Sequence, residues 1–223
     1  MTRQTENDTP PKGSPTQWQS WQRVARRIRV PLGFITAAVF LFEVARRPPH
    51  LAAIASSLAL VLPGLALRAA ASGTVKKNRE LTVTGPYAFT RNPLYLGSTL
   101  IAAGFAVALL SWLVALLLAL GFVLIYVPVI ASEEQFLRST FPQFDAYCRA
   151  VPRLIPRLTA ARSQPGNAVA GVSQHGTHAP LTGFSLALYL KHREYNAALG
   201  AVLLYLSLLF LRPVLEFLLH LSR

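Results

Sequence analysis

Residues 99–130 read TLIAAGFAVALLSWLVALLLALGFVLIYVPVI, and no charged side chain occurs anywhere in residues 94–131. A helix needs about 20 mostly apolar residues to cross a hydrocarbon core about 30 Å thick. The run is therefore long enough for two crossings, and its only break is the Leu-Ser-Trp triplet at residues 110–112. We predict two membrane-spanning helices joined by a tight turn, in an integral membrane protein.

The rest of the chain has the composition of a membrane bundle. Of its 223 residues, 52% are hydrophobic and 14% are charged, whereas a soluble domain has about 25% charged residues. The apolar runs occupy residues 30–44, 51–67, 94–110, 112–131 and 196–211. We predict an all-α fold, a polytopic bundle of about five transmembrane helices with short interfacial helices on the cytoplasmic face.

The net charge of +13 is concentrated beside the apolar runs. If the chain crosses five times, all but four of its 22 lysines and arginines fall on one side of the membrane, and that side faces the cytoplasm together with the N-terminus. The pattern also fits contact with anionic lipid headgroups. No aromatic-interleaved basic tract of the RNA-binding kind is present, so we predict no nucleic-acid partner. A compact plan without organelle signals favours a bacterial inner membrane.

Composition predicts four parts along the chain. They are a disordered polar tail (1–22), a core of four helices with a cytoplasmic pocket (23–158), a flexible linker (159–183) and a C-terminal transmembrane helix (184–223). The linker contains His175 and His178 as an H-x-x-H pair, but no glutamate lies between them and no rigid helix is indicated. We therefore predict no metal site.

Several residues typical of turns occur at the start of the charge-free run, where residues 85–98 read GPYAFTRNPLYLGS. Asn92 followed by Pro93 predicts a helix start, with the asparagine as N-cap. Arg91 and Tyr95 are four residues apart, so both side chains are able to face one ligand. Gly97 lets another backbone or a cofactor approach closely. The alternative is purely structural: a helix start, an arginine that reaches lipid phosphates, and interfacial tyrosines.

Adjacent carboxylates at the other end of the charge-free run favour a functional pocket. Glu133 and Glu134 are costly at a membrane boundary unless they are solvated, paired or used. Because neighbouring residues point in different directions around a helix, we expect at most one of them in the pocket. Beyond them, apolar residues recur at helical steps and Pro142 interrupts, which predicts one or two short interfacial helices. The recurring positions are Leu137, Phe141, Phe144, Cys148 and Val151.

Two motifs together resemble a known family. GPYAFTRNPLYLG resembles the G-P-Y-x-x-x-R-H-P-x-Y-x-G signature of membrane methyltransferases, which include isoprenylcysteine carboxyl methyltransferases and phospholipid N-methyltransferases. EEQFLRSTFPQFDAYCRAVPRLIP is similar to their second motif, E-E-x-x-L followed by V-P-R-x-x-P. The resemblance covers residues 68–156 and keeps the order of the family's motifs.

The resemblance implies S-adenosyl-L-methionine bound at the cytoplasmic face and a lipophilic, membrane-embedded acceptor. Matched by position, the implied cofactor residues are Arg91, Asn92, Pro93, Tyr95, Leu96, Gly97, Glu133 and Glu134. Arg149 and Arg153 are implied for an anionic group of the acceptor, and Arg91, Glu134 and Arg153 for catalysis. The implied partner is a membrane lipid or a lipidated small molecule.

Asn92 departs from the family pattern, which commonly has histidine there. Asparagine keeps hydrogen bonding but does not titrate near neutral pH, so any role of that histidine as a base is absent. Methyl transfer to a carboxylate needs no base, whereas an amine acceptor would need Glu133 or Glu134. Two alternatives remain open: an NADPH-dependent lipid or sterol reductase with similar C-terminal helices, and an inactive scaffold of the same fold.

Overall fold

A computed structural model of the protein describes residues 17–48, 50–75, 80–161 and 184–221, with side chains from residue 31 onward. The predictions for residues 1–16, for most of the linker and for His175 and His178 lie outside the described residues.

Helices account for most of the described chain. In order they are α1 (Gln17–Arg46), α2 (Leu51–Thr74), a 3-10 turn (Gly85–Ala88), α3 (Pro93–Leu109), α4 (Trp112–Gly121), a π-helical segment (Phe122–Tyr126), α5 (Val127–Thr140), α6 (Phe144–Ala150), α7 (Leu186–Lys191) and α8 (Tyr195–Leu221).

The predicted all-helical membrane architecture is confirmed at this coarse level. Within the described residues, three helices are long and apolar enough to cross a membrane: α2, the continuous helix Trp112–Thr140 and α8. α3 is apolar but shorter. α1 begins at Gln17, so residues 17–22 are helical although they were predicted as part of a tail. These residues contain no glycine or proline, and they extend the apolar helix that follows by about one and a half turns.

α2 and α3 pack through small residues, and this contact explains Gly97. A Cβ atom built on Gly97 would lie 2.8 Å from the carbonyl oxygen of Gly64 on α2, and one built on Gly104 would lie 3.1 Å from that of Ser57. Close backbone approach through small residues is a common way for membrane helices to associate. Of the two roles predicted for Gly97, the structure shows the approach of another backbone.

The predicted turn within the charge-free run is confirmed. α3 ends where Leu110 adopts a left-handed conformation with φ of 48°, and α4 begins after Ser111. The Ser111 hydroxyl accepts a hydrogen bond from the backbone N–H of Val114 at 3.4 Å, which caps the new helix. The break predicted at residues 110–112 therefore lies in the right place.

α8 packs on its own bundle. The Tyr205 hydroxyl lies 2.7 Å from the Ser57 hydroxyl on α2, and the Tyr205 ring lies 4.9 Å from the Phe105 ring on α3. Before α8, α7 and the turn at residues 192–194 rest on the end of α2, where Ser185 donates its N–H to the Gly73 carbonyl at 2.8 Å. The C-terminal segment therefore reaches the end of the bundle at which α2 ends and α3 begins.

The apolar face predicted after Glu134 forms a small cluster at that same end. Phe144 and Val151 are buried there, with Leu137, Phe141 and Cys148 partly buried against them. Pro142 separates α5 from α6, as the sequence predicts. This cluster fixes the segment after α5 against the loop before α3, which brings the two motifs together.

Candidate functional site

A cavity of about 480 Å³ lies where α2 ends, α3 begins and α5 passes. Its volume is within the range of small-molecule and cofactor sites. Residues from both motifs and from the end of α2 line the cavity, including Arg68, Tyr87, Arg91, Asn92, Pro93, Tyr95, Tyr126, Glu133, Glu134 and Tyr147. The structure therefore contains a cavity between the two motifs, where the pocket was predicted.

Glu134 is the centre of the charged network at this cavity. The carboxylate is buried, and Arg153 binds it in a bidentate manner, with Nε 3.1 Å from Oε1 and Nη2 2.5 Å from Oε2. Arg91 contacts the same Oε1 through Nη1 at 3.0 Å. The hydrogen bonds that Arg153 donates to Glu134 raise the pKa of the Arg153 guanidinium. A carboxylate held by two arginines serves as an anchor for them and is a poor general base.

The loop before α3 is tied to the chain that follows α6. Arg91 donates its backbone N–H to the Pro152 carbonyl at 2.9 Å, and the Thr90 hydroxyl donates to the Arg153 carbonyl at 3.2 Å. The Asn92 side chain donates through Nδ2 to that same carbonyl at 2.9 Å. α3 begins at Pro93 with Asn92 at the N-cap position, as predicted, but the Asn92 side chain makes no capping hydrogen bond. Asn92 instead joins the two motifs.

Another part of the cavity lining combines aromatic rings with a carboxylate. The Tyr95 and Tyr126 rings meet edge to face with centroids 5.2 Å apart. The Tyr95 hydroxyl donates to Glu133 Oε1 at 2.8 Å. Tyr126 ends the π-helical segment, which lies just before Pro128, where a helix loses one backbone N–H. The local change in helix winding helps to set the direction in which Tyr126 faces.

Two further tyrosines and the cysteine are neutral at this site. Burial raises the pKa of Tyr87 and of Tyr147 well above its usual range, and the Tyr147 hydroxyl donates to the Tyr87 carbonyl at 2.7 Å. Burial also raises the pKa of the Cys148 thiol, although Arg91 Nη1 lies 2.8 Å from its sulfur. Cys148 is thus a neutral thiol at pH 7, in agreement with its prediction as an ordinary helix-face residue.

Most of the sequence-predicted site residues meet at the cavity. Arg91, Asn92, Pro93, Tyr95, Glu133 and Glu134 all line it. Leu96 and Gly97 are not among the lining residues, and Gly97 packs on α2. Arg153 contacts Glu134 from outside the cavity, and Arg149 is exposed at the surface.

The expectation that at most one glutamate faces the pocket is wrong. Consecutive helical residues diverge by about 100°, but the cavity extends around α5 far enough to reach both. Glu133 faces Tyr95 on α3, and Glu134 faces Arg91 in the loop before it. The two carboxylates therefore have different partners and different roles.

Sequence analysis missed Arg68 and Tyr126 as lining residues. Arg68 lies within apolar α2, and an ionisable residue inside a membrane helix is itself a signal of function. Tyr126 lies within a long apolar run. It is distinguished only in the structure, where it ends the π-helical segment before Pro128.

Arg91, which lines the cavity, has one unused donor. The Arg91 Nε atom is buried and has no hydrogen-bond partner. A buried polar group without a partner is energetically unfavourable by about 1–3 kcal/mol, so a ligand with an anionic group would stabilise it. Within the described residues, no group of three or more His, Cys, Asp or Glu side chains is placed to hold a metal ion.

Asn92 gives a direct test of the link between the motifs. We expect Asn92→Ala to lower the free energy of unfolding by about 1 kcal/mol, because one buried hydrogen bond is lost. Asn92→Asp should be worse than alanine, since it replaces the Nδ2 donor by an acceptor facing the Arg153 carbonyl. Aspartate and asparagine are equally good N-caps. If Asn92→Asp and wild type are equally stable in thermal unfolding, the Asn92 side chain acts as a cap of α3.

Comparison with known proteins finds relatives of part of the chain. The sequence model of the phospholipid methyltransferase family matches residues 68–143. The nickel-cobalt-cadmium resistance protein NccN of Alcaligenes xylosoxydans xylosoxydans is 42% identical over 89 residues, which are 40% of this chain and 42% of that protein. The cobalt-zinc-cadmium resistance protein CzcN of Cupriavidus metallidurans is 40% identical over 89 residues, 40% of this chain and 41% of CzcN.

The match thus spans less than half the length of these relatives. No solved structure matches the chain. The matched segment, residues 68–143, contains most of the cavity wall, from Arg68 through both glutamates to Phe141. The resemblance predicted from the two motifs is therefore confirmed, since residues 68–143 match the phospholipid methyltransferase family.

Proposed function

We propose that the protein transfers a methyl group from S-adenosyl-L-methionine to a lipophilic acceptor in the membrane, at the cytoplasmic ends of a bundle of about five spanning helices in a bacterial inner membrane. One observation carries the proposal: a cavity of about 480 Å³, lined mostly by the family segment, brings together Arg91, which has an unused buried donor, and the Tyr95, Tyr126 and Glu133 side chains. These groups match the two charged ends of that cofactor's amino acid part.

The chain's own groups fit the donor molecule. S-adenosyl-L-methionine supplies an electrophilic methyl group on a positively charged sulfur. The Tyr95 and Tyr126 rings and the Glu133 carboxylate form a wall that favours a cation. Arg91 Nε, buried and without a partner, suits the carboxylate of the same molecule. Glu134 and Arg153 act as positioning residues, because they hold the Arg91 guanidinium in place.

Transfer to a carboxylate would need alignment and little else. An oxygen lone pair forms the new bond to the methyl carbon, the carbon–sulfur bond breaks, and its electron pair stays on sulfur. The carboxylate and the sulfonium lose their opposite charges in this step, so a cavity shielded from water favours the reaction. In well-oriented reactions, alignment alone lowers the activation barrier by about 7–11 kcal/mol. For an amine acceptor, Glu133 would take the proton, since Glu134 is occupied by two arginines.

The relatives' names connect those proteins with resistance to nickel, cobalt, zinc and cadmium. We propose that methyl transfer by this chain serves a similar setting through the charge of a lipid headgroup. Methylation of an anionic group removes a ligand for divalent cations at the membrane surface. In this proposal the metal ion is affected by the product and is not bound in the cavity.

Donor binding tests the proposal. We expect calorimetric titration of the purified protein in detergent to show binding of S-adenosyl-L-methionine and none of NADPH. Glu133→Gln and Arg91→Lys should each weaken donor binding about tenfold, the equivalent of one lost charged contact. Arg138→Gln is the matched control, because its ion pair with Asp145 is exposed and lies away from the cavity wall.

The other outcomes separate the alternatives. Binding of NADPH alone would assign the protein to the reductases that share such helices. If neither molecule binds to a folded sample, the protein is assigned to the remaining alternative, an inactive scaffold of the same fold. If the donor binds equally well to wild type, Glu133→Gln and Arg91→Lys, the cavity described above is not its site.

A further inference from the structure

The segment that follows α6 carries the two most exposed large apolar side chains in the described part of the chain. Ile155 is 80% exposed and Leu158 is 100% exposed, whereas no other large apolar side chain of the described residues exceeds 74%. Neither residue lies in a helix or belongs to a core cluster. Adjacent exposed apolar side chains of this kind mark a surface that contacts a membrane or another protein.

Arginines accompany this apolar pair at every fourth position, 149, 153 and 157, and no acidic residue occurs in residues 149–158. The side chains of Arg149 and Arg157 are exposed. Arg157 donates to the Ala150 carbonyl within the same segment. Guanidinium groups bind phosphate oxygens through paired N–H donors, so the charge of this surface complements anionic phosphate groups.

The segment lies where the charge-free run begins. The Pro152 carbonyl accepts the Arg91 backbone N–H at 2.9 Å, and Arg157 donates its own backbone N–H to the Phe89 carbonyl at 3.0 Å. Residues 152–157 therefore run alongside residues 89–91, and the charge-free run starts at Leu94. At such a boundary, apolar side chains are able to enter the bilayer while arginines stay among the headgroups.

The backbone of the segment is restricted before any lipid binds. Pro152 and Pro156 fix their own φ angles and disfavour helix at the residues before them, Val151 and Ile155. The hydrogen bonds to residues 89–91 restrict the segment further. A segment held in this way loses little conformational freedom when it binds, which favours affinity.

Arg153 belongs both to this surface and to the charged network at the cavity. Its side chain is 52% exposed, although its Nε and Nη2 atoms bind the Glu134 carboxylate. Glu134 in turn contacts Arg91. The Arg153 carbonyl accepts hydrogen bonds from Asn92 and Thr90 in the loop before α3. A partner that holds the segment in place therefore also holds Arg91 in place.

We propose that residues 149–158 dock on anionic phospholipid headgroups, with Ile155 and Leu158 inserted among the acyl chains, and that this contact strengthens binding of S-adenosyl-L-methionine through Arg153. The second half of this inference rests on the function proposed above. In this assignment Arg149 contacts the lipid surface instead of the methyl acceptor. Because coupling between two sites is reciprocal, the donor should equally strengthen the contact with anionic lipid.

Hydrogen–deuterium exchange of the full-length protein in lipid nanodiscs tests the docking surface without the donor. We expect the amides of residues 149–158 to exchange about fivefold more slowly in discs of equal parts phosphatidylglycerol and phosphatidylcholine than in phosphatidylcholine discs. One basic residue at an anionic surface strengthens binding by about this factor. The double variant Arg149→Gln/Arg157→Gln should abolish the difference. Arg46→Gln/Arg212→Gln is the matched control, because it removes the same charge where α1 ends and in the second half of α8.

Leu158→Ser tests insertion and keeps every arginine. Leu158 is fully exposed, so the substitution removes no contact within the described protein. We expect slower exchange in phosphatidylglycerol discs to be largely lost, and unchanged protection would show that Leu158 does not enter the bilayer. If wild type exchanges equally in both kinds of disc, or if the double arginine variant keeps the difference, the surface is not one for anionic lipid. The exposed apolar pair is then assigned to a protein partner.

Titration of S-adenosyl-L-methionine into the same discs tests the coupling. We expect the Kd to be about fivefold lower with phosphatidylglycerol than without it, the factor for one arginine contact, and the double arginine variant to lose this ratio. Equal affinity in both kinds of disc, with the exchange difference intact, would overturn the coupling and leave the methyltransferase proposal standing. If the exchange difference is found and the donor binds in neither disc, the lipid surface stands and the proposed function is wrong.

Discussion

Glu134→Gln is expected to lower the free energy of unfolding by about 3 kcal/mol, at the low end of the 3–5 kcal/mol range for the loss of one partner of a buried ion pair. The Glu134 side chain is 9% exposed and the Arg91 side chain 14%, so neither water nor another carboxylate compensates Arg91. Arg153 is 52% exposed and is solvated once its partner is gone, which keeps the loss at the low end.

Glu133→Gln is the matched control, since it makes the same chemical change one residue earlier on the same helix. Glu133 is exposed and accepts a hydrogen bond from the Tyr95 hydroxyl, so we expect a loss of stability below about 1 kcal/mol. The two variants should affect different properties. Glu133→Gln should weaken donor binding in a protein of normal stability. Glu134→Gln unfolds more easily whether or not a ligand is present.

Thermal unfolding in detergent measures the difference, and a drop of roughly 6–12 °C for Glu134→Gln would correspond to 3 kcal/mol in a chain of this size. A double-mutant cycle with Arg153→Gln then isolates the pair. We expect the double variant to be more stable than the sum of the single losses predicts, because the two changes remove one interaction. Strict additivity, or equal midpoints for Glu133→Gln and Glu134→Gln, would show that the network does not hold the site together.

The helices could be predicted because each is specified by its own sequence. A charge-free run with one break at residues 110–112 predicts a hairpin wherever it is embedded, and Asn-Pro predicts where α3 begins. The start of α1 was misplaced because the polar residues from Gln17 onward are compatible with either a tail or a helix. Only the continuous helix that follows decides between the two.

The site was predictable in its residues and unpredictable in its pairings. Two motifs at the ends of one hairpin identify Arg91, Glu133 and Glu134, whatever the details of packing. Their partners depend on how the chain after α6 returns, and this explains why Asn92 bonds the Arg153 carbonyl instead of capping α3. The ion pair between Arg68 and Glu194 depends on the contact of α2 with a turn 126 residues away, and no local pattern reports such a contact.

Gly97→Ala is expected to destabilise the protein by about 2 kcal/mol, although alanine is the better helix former. The new Cβ would lie 2.8 Å from the Gly64 carbonyl oxygen and 2.7 Å from the Arg68 Cγ atom. The first neighbour is backbone and is unable to move without α2, so the two helices must separate, and overpacking of this kind lowers stability by about 1–3 kcal/mol. A second effect follows, because the same movement shifts the start of α3 and with it Tyr95 and Arg91.

Gly200→Ala supplies the control with the opposite expected sign. A Cβ at Gly200 in α8 meets nothing within 4 Å, so the substitution gains the helix propensity of alanine, about 1 kcal/mol, without a clash. Unfolding midpoints that fall for Gly97→Ala and rise for Gly200→Ala would establish close α2–α3 packing as the reason for glycine at position 97. If Gly97→Ala instead keeps its stability and loses only S-adenosyl-L-methionine binding, Gly97 admits the ligand directly, and the contact between α2 and α3 is looser than described here.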